Sequence, residues 1–265
     1  MRFWVSILLF LTTMNLVACP TIAISGVDVS CYLGTNGSAS ITVTGPNAPF
    51  KATWSTGEID NISASGGTAS IQFLPAGIYT VYVVDQLGCT SMHLVAVDEP
   101  APVTGSVSIT DVKCHGEATG SIDLTPVGGS GTYNYSWSNG ELGQDISGQL
   151  ANSYSVVITD NRGCTSASID AVISEPVQSV TAATVNTNIS CQTGSDGAID
   201  LSVYGGVPPY VYSWNSGAYN TEDLTNVSAG TYNLVVTDDN GCTATESIVL
   251  SEPTAISSTI SGTNV

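Results

Sequence analysis

The sequence predicts an all-β chain folded as a tandem array of three small β-sandwich domains. Three observations carry this: a repeat present in triplicate, apolar residues alternating at period two, and a tryptophan fixed between two cysteines in each repeat. Cys31, Cys114 and Cys191 open the repeats, 83 and then 77 residues apart. Trp54, Trp137 and Trp214 each follow their opening cysteine by 23 residues, and Tyr79, Tyr154 and Tyr232 each precede the closing Cys89, Cys164 and Cys242 by 10. Each repeat ends in a Glu-Pro pair: Glu99-Pro100, Glu175-Pro176 and Glu252-Pro253. An active site is normally single, so features in triplicate direct attention away from catalysis.

The elements follow in order. Arg2 precedes an apolar run from Phe3 to Val17, which reads as a secretory signal peptide over residues 1–18 and is short for a membrane span. It ends in Leu16-Val17-Ala18-Cys19, which resembles the lipobox of bacterial lipoproteins, where the cysteine thiol is lipidated. The other reading is ordinary cleavage a few residues on, for instance after Ala23, which discards Cys19. After the opening cysteines come Ala39, Ile41, Val43, then Ile122, Leu124, then Ile199, Leu201, Val203, with polar residues between, the signature of a half-buried strand. A second strand carries Phe50-x-Ala52-x-Trp54, Tyr133-x-Tyr135-x-Trp137 and Tyr210-x-Tyr212-x-Trp214. A later one carries Tyr79-x-Val81-x-Val83, Tyr154-x-Val156-x-Ile158 and Tyr232-x-Leu234-x-Val236.

Turn chemistry separates these strands. Gly37, Gly120 and Gly197 lie six residues after their cysteines, Gly45, Gly128-Gly129 and Gly205-Gly206 mark a second turn, and Asp85, Asp160 and Asp238 begin a tight hairpin before each closing cysteine. No window holds helical periodicity. Short strands, regular turns and a tryptophan between paired cysteines make the expected sandwiches immunoglobulin-like in architecture. The tyrosine departs from antibody domains, where it lies two residues before the second cysteine rather than 10. The expected domains are 26–100, 104–176 and 181–253, with 254–265 as lead-in to a truncated fourth repeat.

Composition limits the partners. There are 22 acidic against 4 basic residues, a net charge of −18, while only 10% of residues are charged. Nucleic acid and anionic membrane surfaces repel such a chain, because both need clustered basic side chains. Paired cysteines and a surface of Ser, Thr, Asn and Gly suit an extracellular protein better than a cytosolic one.

The repeat resembles the SprB repeat of cell-surface, gliding-motility adhesins of Bacteroidetes. The resemblance rests on the opening cysteine, the Gly-Gly-x-Pro-Pro-Tyr-x-Tyr-x-Trp run at Gly205 to Trp214, the Ala-Gly-Thr-Tyr-x-x-x-Val-x-Asp run at Ala229 to Asp238, Asn240-Gly241-Cys242-Thr243, and Glu252-Pro253. The first repeat diverges most, with Gly45-Pro46-Asn47-Ala48-Pro49 at its second turn. The resemblance implies an exported adhesion or spacer array of a gliding-type bacterium, here a fragment of a longer one. Its contacts would be with a surface polysaccharide, a host or substratum surface, or neighbouring repeats, with outer-membrane anchoring through a lipid on Cys19. The alternatives are carbohydrate-binding modules, or the non-catalytic segment of a larger exported enzyme.

Among candidate site residues, Cys31–Cys89, Cys114–Cys164 and Cys191–Cys242 are the expected disulfides, each closing its own repeat over 50 to 58 residues. The alternatives are free thiols or cross-repeat pairing, which would break the reading of three self-contained domains. On this count Cys19 is the odd one of seven cysteines. Trp54, Trp137 and Trp214, with Tyr79, Tyr154 and Tyr232, are expected core aromatics. The Tyr-Tyr-Trp faces could instead stack sugars, but polar residues at the alternate positions favour core. Asp238-Asp239-Asn240 and Asp160-Asn161 could offer calcium ligands, yet the first repeat has only Asp85-Gln86-Leu87-Gly88 and no EF-hand spacing occurs, so hairpin caps are expected. The two histidines, His93 and His115, lie in different repeats and no Cys-x-x-Cys occurs, so neither zinc chemistry nor a nucleophilic triad is supported, and no cofactor, metal or catalytic residue is expected.

Overall fold

The computed structural model describes residues 18–261. The expected signal segment lies, but for Ala18, outside the described residues. Every regular element among the described residues is a strand. The chain forms two compact units: the residues up to Thr104 with Pro126–Tyr133 and Ile158–Ser166, and then Gly105–Thr125, Asn134–Val157 and the residues from Ala167 on.

The first unit contains the first sandwich and two loops of the second repeat. The sandwich comprises β1 (Thr21–Val27), β2 (Gly37–Thr44), β3 (Phe50–Trp54), β4 (Ile59–Ile62), β5 (Gly67–Leu74), β6 (Gly77–Val84) and β7 (Thr90–Val97). One sheet has the order β1-β2-β5 and the other β4-β3-β6-β7, all antiparallel. The period-two pattern places Ala39, Ile41 and Val43 of β2 opposite Phe50, Ala52 and Trp54 of β3 and Val81 and Val83 of β6 in one buried core. The opening strand starts at Thr21, ahead of the expected boundary at residue 26, because β1 pairs with β2 along its whole length, from Thr21↔Thr44 to Val27↔Ser38.

The second unit contains most of the second repeat and all of the third. The second repeat supplies β8 (Thr104–Thr110), β9 (Gly120–Val127), β10 (Tyr133–Trp137), β11 (Ile146–Gln149), β12 (Asn152–Asp160) and β13 (Ile169–Ile173), in sheets ordered β8-β9-β11 and β10-β12-β13. Ile122, Leu124, Trp137, Ile146, Tyr154, Val156 and Ile173 are buried. The third repeat supplies β14 (Thr181–Thr187), β15 (Gly197–Tyr204), β16 (Val211–Trp214), β17 (Leu224–Val227), β18 (Gly230–Thr237) and β19 (Thr243–Leu250), in sheets β14-β15-β17 and β16-β18-β19. Its core gathers Ile199, Leu201, Trp214, Leu224, Tyr232, Leu234 and Val236. The architecture is thus all-β, with immunoglobulin-like sandwiches in tandem. Residues 254–261 carry no strand.

The aromatic residues are scaffold. Trp54, Trp137 and Trp214 are buried, and each indole N–H has an acceptor: Asp60 Oδ2, the Gly143 carbonyl and the Thr221 carbonyl. The hydroxyls of Tyr79, Tyr154 and Tyr232 each donate to a carbonyl four residues upstream, on Pro75, Leu150 and Ser228, at 2.8–2.9 Å. This is the bond of a tyrosine corner. Tyr154 and Tyr232 are buried, whereas Tyr79 is half-buried. Tyr133 and Tyr210 donate to Gly128 O and Gly205 O, so their rings brace the second turn. Gly128 and Gly205 are required there: both have positive φ, and a Cβ would meet the carbonyl oxygen of Pro102 at 1.9 Å and that of Ser179 at 2.0 Å.

Candidate functional site

Each repeat presents two built loops, one around its opening cysteine and one around its closing cysteine. The opening loop starts at a buried apolar residue, Val29, Val112 or Ile189, whose amide bonds to the carbonyl of Asp98, Ser174 or Ser251 just beyond the repeat's last strand. The Asp28, Asp111 or Asn188 side chain returns a bond from the amide of that same residue. A turn then closes on the cysteine carbonyl, from Gly34, Glu117 and Gly194.

Two residues past the cysteine, the amides of Leu33, Gly116 and Thr193 donate to Oε2 of Glu99, Glu175 and Glu252 at 2.6–2.7 Å. The terminal Glu of each Glu-Pro pair therefore holds its own repeat's opening loop. The three residues it grips all have left-handed φ, at 56°, 79° and 63°. The glutamates were conspicuous in sequence as punctuation, but nothing in sequence showed that they reach back about 60 residues.

The closing loop is built on an aspartate. Oδ1 of Asp85, Asp160 and Asp238 accepts the amide of Cys89, Cys164 and Cys242 at 2.8–2.9 Å. The other oxygen reaches the second turn, at Asn47 Nδ2, Ser130 N and Val207 N. Burial opposes ionisation of Asp160, but hydrogen bonds from the Cys164 amide, Ser130 and the Arg162 amide outweigh it and hold its pKa below the ordinary value. Asp85 is lowered likewise: burial works against it, and Asn47 with the Cys89, Leu87 and Gly88 amides prevails. These carboxylates clamp a hairpin to a turn, and among the described residues no group of three or more His, Cys, Asp and Glu is placed to hold a metal ion.

The disulfides correct the expected pairing. Cys31 is bonded to Cys164 and Cys114 to Cys242, with Cα–Cα distances of 5.5 and 5.6 Å and sequence separations of 133 and 128. The opening cysteine of one repeat thus joins the closing cysteine of the next, not its own. The reason lies in the last strand of the first and third sandwiches. Cys89 sits at the start of the eight-residue β7, whereas the opening loop is tied to Asp98 and Glu99 at its end. Eight extended residues span about 27 Å, and a disulfide needs Cα atoms within about 7 Å. The eight-residue β19 likewise separates Cys242 from the Cys191 loop. Covalent closure is therefore between repeats, although each repeat retains its own pair of sheets.

The odd cysteine also changes. Cys19 is bonded to Cys89, and the free, exposed thiol is Cys191. Cys19 holds, at the Cys89 hairpin, the place that Cys31 and Cys114 hold at the Cys164 and Cys242 hairpins. None of the three expected pairs, Cys31–Cys89, Cys114–Cys164 and Cys191–Cys242, is formed. A sulfur bonded to Cys89 does not at the same time carry the lipid thioether expected on Cys19.

The bonded cysteines lie in two equivalent clefts. One holds Cys31, Pro102, Val103, Gly129 and Cys164 in the first unit, and the other Cys114, Ser179, Val180, Gly206 and Cys242 in the second. In the second cleft Asn240 Nδ2 donates to the Lys113 carbonyl at 2.9 Å. His115 Nδ1 lies 3.4 Å from Glu175 Oε1 and 2.9 Å from the Pro176 carbonyl oxygen. His93 lies half-buried on β7.

The family model of the SprB repeat matches the chain three times, at residues 23–59, 106–142 and 183–219. Comparison with curated proteins gives no match. Among solved structures, the eight N-terminal Ig domains of Down Syndrome Cell Adhesion Molecule align at 15% identity and a TM-score of 0.40, over 90% of this chain and 37% of that one. The intimin C-terminal fragment, in complex with the intimin-binding domain of the translocated intimin receptor, aligns at 12% and 0.30, over 66% and 69%. Domains 1–6 of the surface layer protein SbsC align at 14% and 0.25, over 91% and 42%.

Proposed function

We propose that this chain, which carries three tandem SprB repeats, is a non-catalytic extracellular array on a bacterial cell surface that serves adhesion and spaces its contacts from the cell. One observation carries the reading: what the repeats share is construction. The tryptophans fill cores, the tyrosines tie corners, the aspartates clamp hairpins, the glutamates hold loops, and four of the cysteines staple one repeat to the next. An array repeated for chemistry would repeat a nucleophile or a ligand set instead.

Linked weak contacts gain avidity without any single strong site, which is the mechanism open to such an array. Disulfides between repeats support an oxidising exterior. The net charge of −18 supports contact with polysaccharide or an inert substratum rather than nucleic acid or anionic lipid. The SprB resemblance supports placing it in a gliding-type bacterium.

The test uses beads coated with the full chain and flowed over polysaccharide-coated and bare glass. Retention several-fold above albumin-coated beads, competed away by soluble chain, is expected. Retention equal to albumin on every surface contradicts the adhesion reading.

A further inference from the structure

Repeat 1 carries an aromatic side chain that the other repeats lack, on backbone that makes it costly. At the end of β5 one extra residue is inserted opposite β2: Gly37 faces Leu74 and Ser38 faces Gln72, which leaves Phe73 unpaired between them. The same bulge recurs at Gly148 on β11 and Asn226 on β17. All three residues have left-handed φ, Phe73 at 58°, Gly148 at 68° and Asn226 at 58°. Glycine and asparagine visit that region readily, whereas phenylalanine is strained there. Burial does not offset the strain, because Phe73 is 83% exposed. The setting is also particular to repeat 1. β5 has eight residues and pairs along the length of β2, whereas β11 and β17 have four each. On the outward face Ser38, Ser40 and Thr42 of β2 stand beside Gln72, Ser70 and Thr68 of β5, with Phe73 at the end of the row. β1, β2 and β5 contain no charged residue, although the chain carries a net charge of −18. In the other repeats the place of Ser40 is taken by exposed Asp123 and Asp200.

We propose that this outward face of repeat 1 is a binding site for a neutral polysaccharide, with Phe73 as the ring on which a sugar stacks. A pyranose presents an apolar C–H face to an aromatic ring, and its hydroxyls exchange water for the hydroxyls and the Gln72 amide alongside. A strained residue that serves no core is the pattern of a functional site. Charge selects the class of polymer. No basic side chain stands on this face to meet a uronate, sulfate or phosphate, and the acidic chain repels such polymers. An amine-bearing polymer is drawn to carboxylates, which these strands lack. A second copy of the chain fits less well, since the face around Phe73 is mainly Ser, Thr and Gln, whereas the core of an interface between copies is apolar. The site rests on the adhesion reading and deepens it by placing a contact on one repeat and naming the chemistry of what it holds.

Full-length chain is run in native gels containing dextran, laminarin, galactomannan or xylan, with alginate as the acidic polymer. Mobility reduced about twofold or more in at least one neutral gel, and unchanged in alginate, is expected. Phe73→Asn keeps the charge and copies Asn226; it should run unretarded while its thermal midpoint rises by about 2–4 °C. Phe73→Trp should remain retarded. Unchanged mobility in all four neutral gels, equal retardation in alginate, or equal retardation of Phe73→Asn would overturn the proposal. So would a lower midpoint for Phe73→Asn, which marks the ring as part of the fold. Bead retention that is the same for wild type and Phe73→Asn removes this site and leaves adhesion standing. Wild-type beads held no better than albumin contradict adhesion itself.

Discussion

Cys31 is bonded to Cys164, 133 residues away, while Cys89 of its own repeat stands at the far end of β7. This relationship, repeated between Cys114 and Cys242, changes what the cysteines do. A bond within a repeat would stabilise that sandwich alone. A bond between repeats restricts the unfolded chain over more than 100 residues, worth about 4.7 kcal/mol in the chain-entropy model, and couples neighbouring repeats in unfolding.

Removing one corner hydroxyl tests the tyrosines. Tyr154→Phe keeps the buried ring and deletes the bond to the Leu150 carbonyl. It is expected to lower stability by about 1 kcal/mol, read by chemical denaturation with the disulfides intact.

The opening loops make a prediction of opposite sign. Thr193 is β-branched and held at φ 63°, where repeat 2 has Gly116. Thr193→Gly relieves left-handed strain of about 1–2 kcal/mol, less the entropy cost of a new glycine. A net gain of about 0.5–1 kcal/mol is expected, visible as a raised midpoint, whereas Gly116→Thr lowers it.

Acid should weaken the closing hairpins. Asp85 and Asp160 have pKa values lowered from the ordinary 3.8. A carboxylate with a depressed folded pKa contributes stability that is fully present above the unfolded value and is lost as pH falls through the folded value. Their contribution is therefore complete at pH 7, begins to fall near pH 4 and is lost only as pH passes below their lowered folded values. Unfolding free energies of wild type and Asp160→Asn should differ at neutral pH and converge toward pH 2.

Much of the fold was legible because period two is a physical requirement of a half-buried sheet. Ala39, Ile41 and Val43, or Ile199 and Leu201, could face only a core, and they do. The opening strands were not legible. Thr21–Val27, Thr104–Thr110 and Thr181–Thr187 lie at sheet edges with no fully buried residue, so their pattern is weak. The disulfide pairing was hidden by the repeat itself. Identical spacing in each unit is satisfied equally by pairing within a unit or with the next, and only the length of β7 and β19 separates the choices. The same symmetry concealed which cysteine is left over, Cys191 rather than Cys19. The Asp caps were legible from turn chemistry, whereas the reach of Glu99, Glu175 and Glu252 depends on tertiary proximity.

Non-reducing peptide mapping tests the central claim most directly. Cleavage before aspartates places all seven cysteines in separate peptides. Alkylated, oxidised full-length chain should yield Cys31 joined to Cys164, Cys114 joined to Cys242, and Cys191 carrying the alkyl group. Peptides joining Cys31 to Cys89, Cys114 to Cys164 and Cys191 to Cys242 would contradict it.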